Sequence, residues 1–108
     1  MQGRIQHLRP KRNRDAENTE DYLTVILIPK FGDHFIGRWL MARMKRPFFR
    51  LNLDEIGSFV WAHCDGKTDV DEIGRKLEDR FGEKVKPVQG RLGLFFERLE
   101  RSKSIIWC

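Results

Sequence analysis

The sequence predicts an α+β domain in which a short antiparallel sheet is followed by three helices packed on one of its faces. Three observations carry this expectation. Residues 22–28 and 47–51 are rich in β-branched and aromatic side chains. From residue 52 onward the apolar spacing becomes helical, with a capping or breaking residue at each helix end. The chain has 108 residues, which is one domain's worth. Three short helices joined by tight turns also suit a winged-helix-like arrangement.

Taken in order, residues 1–21 are polar, charged and aperiodic. A basic run, Arg9-Pro10-Lys11-Arg12-Asn13-Arg14, precedes the acids Asp15, Glu17, Glu20 and Asp21. This segment reads as a flexible charged N-terminal arm, with the folded domain spanning 22–108. On that reading, removing residues 1–14 leaves the domain folded.

Tyr22-Leu23-Thr24-Val25-Ile26-Leu27-Ile28, stopped by Pro29, reads as a buried strand. Pro47-Phe48-Phe49-Arg50-Leu51 reads as a second, its proline at the start where a missing N–H is tolerated. Between them, residues 35–44 are ambiguous. Their apolar residues suit a further strand, yet Ile36, Trp39, Leu40 and Met44 share a helical face.

The first helix of the C-terminal half has Asn52 as cap and Glu55 completing a capping box, with Leu51 and Ile56 placed as a hydrophobic staple. Ile56, Phe59, Val60 and His63 form its predicted buried stripe, and Asp65-Gly66 ends it. The second starts near Thr68, carries Asp69, Asp71 and Glu72 in its first turn, buries Val70, Ile73, Leu77 and Phe81, and closes at Gly82. The third opens with Pro87 and presents Val88, Leu92, Phe95, Phe96 and Leu99. Ser104-Ile105-Ile106-Trp107 is a short closing strand.

Charge has to be read by position. The net charge is +5. Arg4, Arg9, Lys11, Arg12 and Arg14 supply all of it, and the rest of the chain balances 16 bases against 16 acids. The high pI thus describes one end and does not show that the body has a basic face. No apolar run approaches the roughly 18–20 residues that span a bilayer, and no secretory signal follows the basic start. Cys64 and Cys108 form no CxxC pair, which points to a reduced, cytoplasmic protein.

Enzyme signatures are missing: there is no GxSxG, Walker loop, HExxH or GxGxxG. His63, Cys64 and Asp65 cluster in sequence, but helix neighbours at i, i+1 and i+2 point apart. The histidines and cysteines have no zinc-ligand spacing, so no metal or other cofactor is expected. Nucleic-acid binding finds support only in residues 30–50, where Lys30, Arg38, Arg43, Lys45, Arg46 and Arg50 face a single acid, Asp33. On the third helix, Glu97 and Glu100 interrupt Arg91, Arg98 and Arg101, and no wing hairpin follows that helix. If helical, Phe35–Arg46 suits a membrane interface, though packing within the domain explains the same residues.

Peptide binding has the best physical case. A small antiparallel sheet has free edges, and an edge beside an apolar helix takes an extended peptide as one more strand. The third helix carries more apolar residues than one stripe needs, since Leu94 joins Leu92, Phe95 and Phe96. Gly90 and Gly93 leave gaps for a neighbour, and Arg50, Arg91 and Arg98 are candidates to flank a groove that favours acidic peptides.

Leu51-Asn52-Leu53-Asp54-Glu55-Ile56-Gly57-Ser58-Phe59-Val60-Trp61, then Cys64-Asp65-Gly66-Lys67-Thr68-Asp69-Val70-Asp71-Glu72-Ile73, resemble the PqqD family. Leu77, Phe81-Gly82-Glu83, Arg91-Leu92 and Leu99 continue the pattern, so the likeness spans about residues 22–107. The resemblance implies a winged-helix-like fold with three N-terminal strands and three helices. It implies a non-catalytic chaperone that binds the leader of a ribosomally made precursor peptide, as in pyrroloquinoline quinone biosynthesis. The leader would add as a strand between the third strand (47–51) and the third helix (87–101) and be presented to a modifying enzyme, a radical SAM enzyme above all. The expected site residues are Phe48, Phe49, Arg50, Leu51, Arg91, Leu92, Leu94, Phe95 and Arg98. A winged-helix nucleic-acid-binding protein is the alternative, and a homodimer formed through the same sheet edge is a third reading.

Overall fold

Backbone pairing and helix caps together decide where each element starts. The computed structural model describes residues 5–30 and 35–108. In chain order these form β1 (Pro10–Arg12), β2 (Ala16–Asn18), β3 (Thr24–Pro29), α1 (Phe35–Ala42), β4 (Phe48–Asn52), α2 (Glu55–Ala62), α3 (Val70–Phe81), a 3₁₀ turn (Gly82–Val85), α4 (Val88–Arg101) and β5 (Ile105–Trp107). The result is α+β. An antiparallel sheet of order β2-β3-β4 packs on the helices, and a separate antiparallel ribbon joins β1 to β5.

The expected strands are β3 and β4, in a register that sets Ile26 opposite Leu51 and Ile28 opposite Phe49. The third strand of the sheet is β2, with Ala16 opposite Ile26. Here the sequence reading of residues 1–21 as an arm is corrected over the described part. Residues 16–18 form a sheet edge, and residues 10–12 pair with 105–107. Their sequence is silent because these pairings are made by backbone groups while nearly all the side chains stay in water; of the six strand residues only Pro10 is buried. Residues 35–44, ambiguous in sequence, begin as the helix α1.

Helix α2 starts two residues later than its sequence signals predict. Asn52 is still paired in β4 opposite Val25, so Asp54 becomes the cap, its Oδ1 accepting the Gly57 N–H at 2.7 Å. Its buried stripe is also turned by one residue. Gly57, Val60, Trp61 and Cys64 are buried, whereas Ile56, Phe59 and His63 are half-buried. This helix is apolar on nearly every side, so spacing alone does not choose between two frames about 100° apart.

The other helix signals hold. Asp69 Oδ1 caps α3 by accepting the Glu72 N–H at 2.8 Å, and Gly82 takes a positive φ of 65° to end it. The core gathers Ile26, Leu53, Val60, Trp61, Val70, Ile73, Leu77, Leu92, Phe96, Leu99 and Ile105 between the sheet and helices α2–α4. Gly74 lets α3 and α4 approach closely: a Cβ there would lie 3.1 Å from Val88 Cγ1 and 3.4 Å from Leu92 Cδ1.

Two polar residues near the N-terminus, Arg12 and Asn13, serve the helix ends. Arg12 Nη1 donates to the carbonyls of Trp61 and Ala62 at 3.1 and 2.9 Å, at the C-terminus of α2. Asn13 Nδ2 donates to the Lys103 carbonyl at 3.0 Å just past α4. A helix C-terminus leaves carbonyls unpaired and carries partial negative charge, so a guanidinium is well suited to it.

Candidate functional site

The sequence cluster His63-Cys64-Asp65 forms no reactive centre. His63 Nδ1 lies 2.9 Å from the Phe59 carbonyl and the ring stacks on Phe59, with centroids 4.6 Å apart. Cys64 is fully buried, its Sγ donating to the Val60 carbonyl at 3.3 Å. Burial pushes its thiol up to about 12, far from the thiolate that nucleophilic attack needs. Asp65 accepts the backbone N–H groups of Lys67 and Thr68 at 2.8 and 2.9 Å, which holds its carboxyl below the usual carboxylate range. The three side chains complete a helix end, a core and a turn. Among the described residues no three His, Cys, Asp or Glu side chains gather as a metal site would require.

A groove of about 440 Å³ lies between the start of α2 and one face of α4. Pro87, Gly90, Arg91, Leu94, Phe95 and Arg98 recur at helical spacing along it, so the groove follows α4 for most of its length. Asp54, Ile56, Gly57 and Val60 form the opposite wall. Gly57 explains how tightly the walls meet, because a Cβ there would lie 3.3 Å from Phe95 Cε1. Gly90 has open space, since a Cβ there would meet only Pro87 Cγ, at 3.9 Å. Leu94 is 50 % exposed within this groove.

β4, which ends two residues before Asp54 of the groove's wall, is an outer strand of its sheet. Lys30 N donates to the Pro47 carbonyl and Leu53 N to the Thr24 carbonyl, each at 2.9 Å. With the antiparallel register, these bonds turn the backbone of Phe49 and Leu51 toward β3. The N–H and C=O groups of Phe48, Arg50 and Asn52 therefore point to the open edge. A strand added there would place alternate side chains on the face that carries Leu51.

Of the residues singled out in sequence, Arg91, Leu92, Leu94, Phe95 and Arg98 come together in the groove. Phe48, Phe49, Arg50 and Leu51 do not line it; they belong to the edge strand β4. Leu92, only 3 % exposed, is chiefly a core residue. Arg50 is drawn across the sheet to Glu17 at 2.8 Å, away from any groove role. Gly93 is buried on the core side of α4, so only Gly90 opens a gap. Sequence reasoning missed the wall formed by Asp54, Ile56, Gly57 and Val60. The one usable signal was Gly57 inside a helix, where glycine ordinarily has a packing reason.

Two further exposed aromatic side chains lie elsewhere, Trp39 in α1 and Phe49 in β4. Trp39 is 53 % exposed with the Arg43 guanidinium 4.4 Å from its ring centroid, and Phe49 carries Lys30 Nζ at 5.3 Å. No described helix is long and apolar enough to cross a membrane.

Compared with known proteins, residues 50–105, just over half of the chain, match the family model described as coenzyme PQQ synthesis protein D (PqqD). The matched segment begins inside β4 and includes both walls of the groove. No curated protein and no solved structure matches the chain.

Proposed function

Since the chain belongs to the PqqD family, we propose that it is a non-catalytic chaperone for the leader of a ribosomally made precursor peptide. The leader lies in extended form along the open edge of β4 and the groove on α4, and is presented from there to a modifying enzyme of the radical SAM type. The observation that carries this reading is a pair of recognition elements joined in the chain, since β4 ends at Asn52 and the groove's wall begins at Asp54. One is a row of outward backbone groups at Phe48, Arg50 and Asn52. The other is an apolar groove with Ile56, Leu94 and Phe95 in its walls. Backbone pairing supplies affinity and the groove supplies side-chain selection.

The test is a titration of isotopically labelled protein with the leader of the precursor peptide encoded in the same host, followed by backbone amide signals. The expected result is change at Phe48, Arg50, Asn52 and along residues 90–98. Saturation binding that leaves all of these amides unmoved overturns the reading.

Nucleic-acid binding has one specific observation in its favour, the exposed Trp39 accompanied by Arg38, Arg43, Lys45 and Arg46. Salt separates the two readings. Phosphate contacts make affinity fall steeply with ionic strength, whereas strand addition beside an apolar groove depends on it mildly. The acidic residues Asp15, Glu17, Glu20 and Asp21 around the opposite edge strand, β2, weigh against a nucleic-acid face.

A further inference from the structure

The groove has a charge pattern that says what kind of peptide it takes. Arg91 and Arg98 stand seven residues apart on the same side of α4, about 10.5 Å along its axis, with Leu94 and Phe95 between them. Among the described residues neither has a carboxylate partner, while Arg101 on the same helix is paired with Glu97 at 3.0 Å. Arg91 Nη2 donates to the Lys84 carbonyl at 3.2 Å, which leaves most of its donors unused. The groove's one carboxylate, Asp54, is occupied in capping α2. Two unpaired guanidinium groups thus frame an apolar seat.

We propose that the groove selects acidic leaders, reading carboxylate, apolar and carboxylate at three alternate residues of an extended peptide. Alternate residues of a strand face one side, with a repeat of about 6.8 Å, so positions i and i+4 are about 13.6 Å apart. Flexible arginine side chains based about 10.5 Å apart span that distance by splaying outward. The intervening residue i+2 then sits over Leu94 and Phe95. This inference rests on the peptide-binding reading of the same groove and adds the chemistry of the ligand. Planar guanidinium groups suit carboxylates because they donate two parallel hydrogen bonds.

The test pans a phage-displayed random peptide library against the full-length protein, beside two variants. Gly90→Trp fills the groove, and Arg91→Glu/Arg98→Glu reverses its charge at two exposed positions. Circular dichroism establishes that each variant is folded, and Arg98→Glu alone replaces the double variant if that one is not. The expected result is enrichment of peptides with Asp or Glu two positions to either side of a large apolar residue. Synthetic peptides of that pattern should bind the charge-reversed protein about tenfold more weakly, and the reversed protein should enrich Lys or Arg at those positions. Enrichment without acidic preference, or the same peptides chosen by the reversed protein, overturns the charge inference and leaves peptide binding standing. Equal enrichment on the protein and on Gly90→Trp removes the groove as the site, and the inference falls with that reading.

Discussion

The guanidinium of Arg12 sits on the carbonyl of Trp61, 3.1 Å away and 49 residues on in the chain, and reaches the Ala62 carbonyl at 2.9 Å. This contact ties β1 to the end of α2, the helix that forms one wall of the groove. It also gives the basic N-terminal run a structural purpose, because a positive charge there meets the partial negative charge of a helix C-terminus, where the Trp61 carbonyl also accepts the Cys64 N–H at 3.1 Å.

Arg12→Ala should therefore lower stability by about 1–2 kcal/mol, the scale of a charge-assisted hydrogen bond at a helix C-terminus. Deleting residues 1–14 should cost more, since it removes all of β1 and leaves the edge of β5 unpaired. Urea unfolding followed by circular dichroism measures both. Equal stability of the deletion and the full chain would return residues 1–14 to the status of an arm.

Two helical glycines should respond to added bulk with opposite signs. Gly90 faces open space, so Gly90→Ala should stabilise α4 by about 0.5–1 kcal/mol through helix propensity alone. Gly74 faces Val88 and Leu92 at 3.1 and 3.4 Å, so Gly74→Leu should destabilise by about 1–3 kcal/mol through overpacking. Thermal melts of the two variants read the difference directly.

Leu92 and Leu94 lie on the same helix but should divide fold from function. Leu92 is a core residue, and Leu92→Ala should cost about 2–5 kcal/mol. Leu94 is half-exposed in the groove, and Leu94→Asp should leave the melting temperature nearly unchanged. The same substitution should weaken peptide binding at least about tenfold by removing the apolar seat. Isothermal titration with a peptide selected on the unmodified protein checks this. Undiminished affinity in Leu94→Asp would remove that side chain from the site.

The two cysteines should separate chemically. Cys108 is exposed and should be alkylated readily by iodoacetamide at about pH 8, while Cys64 should react only on unfolding. Mass spectrometry should find one adduct on the native protein and two in denaturant. For Cys64, burial raises the folded-state pKa from 9.0 to about 12. The unfolded state therefore loses its proton first, so the stabilisation linked to this thiol is complete below about pH 9 and is lost as pH rises toward 12. Alkaline unfolding titrations of the protein and of Cys64→Ala should differ in slope across that interval.

Much of the C-terminal half was legible because its signals are local. Asp69 accepts a hydrogen bond three residues away, Gly82 ends a helix at its own φ, and Ile73 and Leu77 share a face by spacing alone. The family-like run through Asp54, Gly57 and Trp61 belongs to the same class, since capping and turning leave residue-type signatures. The start of α2 was misjudged for a reason outside that window. Asn52 could not cap because its backbone was already committed to pairing opposite Val25.

The strands β1 and β2 are another matter, whereas β5 answers to the closing strand expected at 104–107. The side chains of β1 and β2 stay mostly in water, and the partner of β1 lies about a whole chain length away, so no periodicity marks them. The groove is of the same kind. Arg91, Leu94, Phe95 and Arg98 share a face by helix geometry, which sequence spacing already states. That Ile56 and Gly57 stand opposite them depends on how α2 crosses α4, and that Arg50 is lost to Glu17 depends on the order of strands. Short-range chemistry thus set the helices, their caps and the family. Long-range packing alone chose which frame of an all-apolar helix is buried, which edge stays open and which arginines remain unpaired, because those choices minimise exposed apolar area and unpaired backbone over the whole domain.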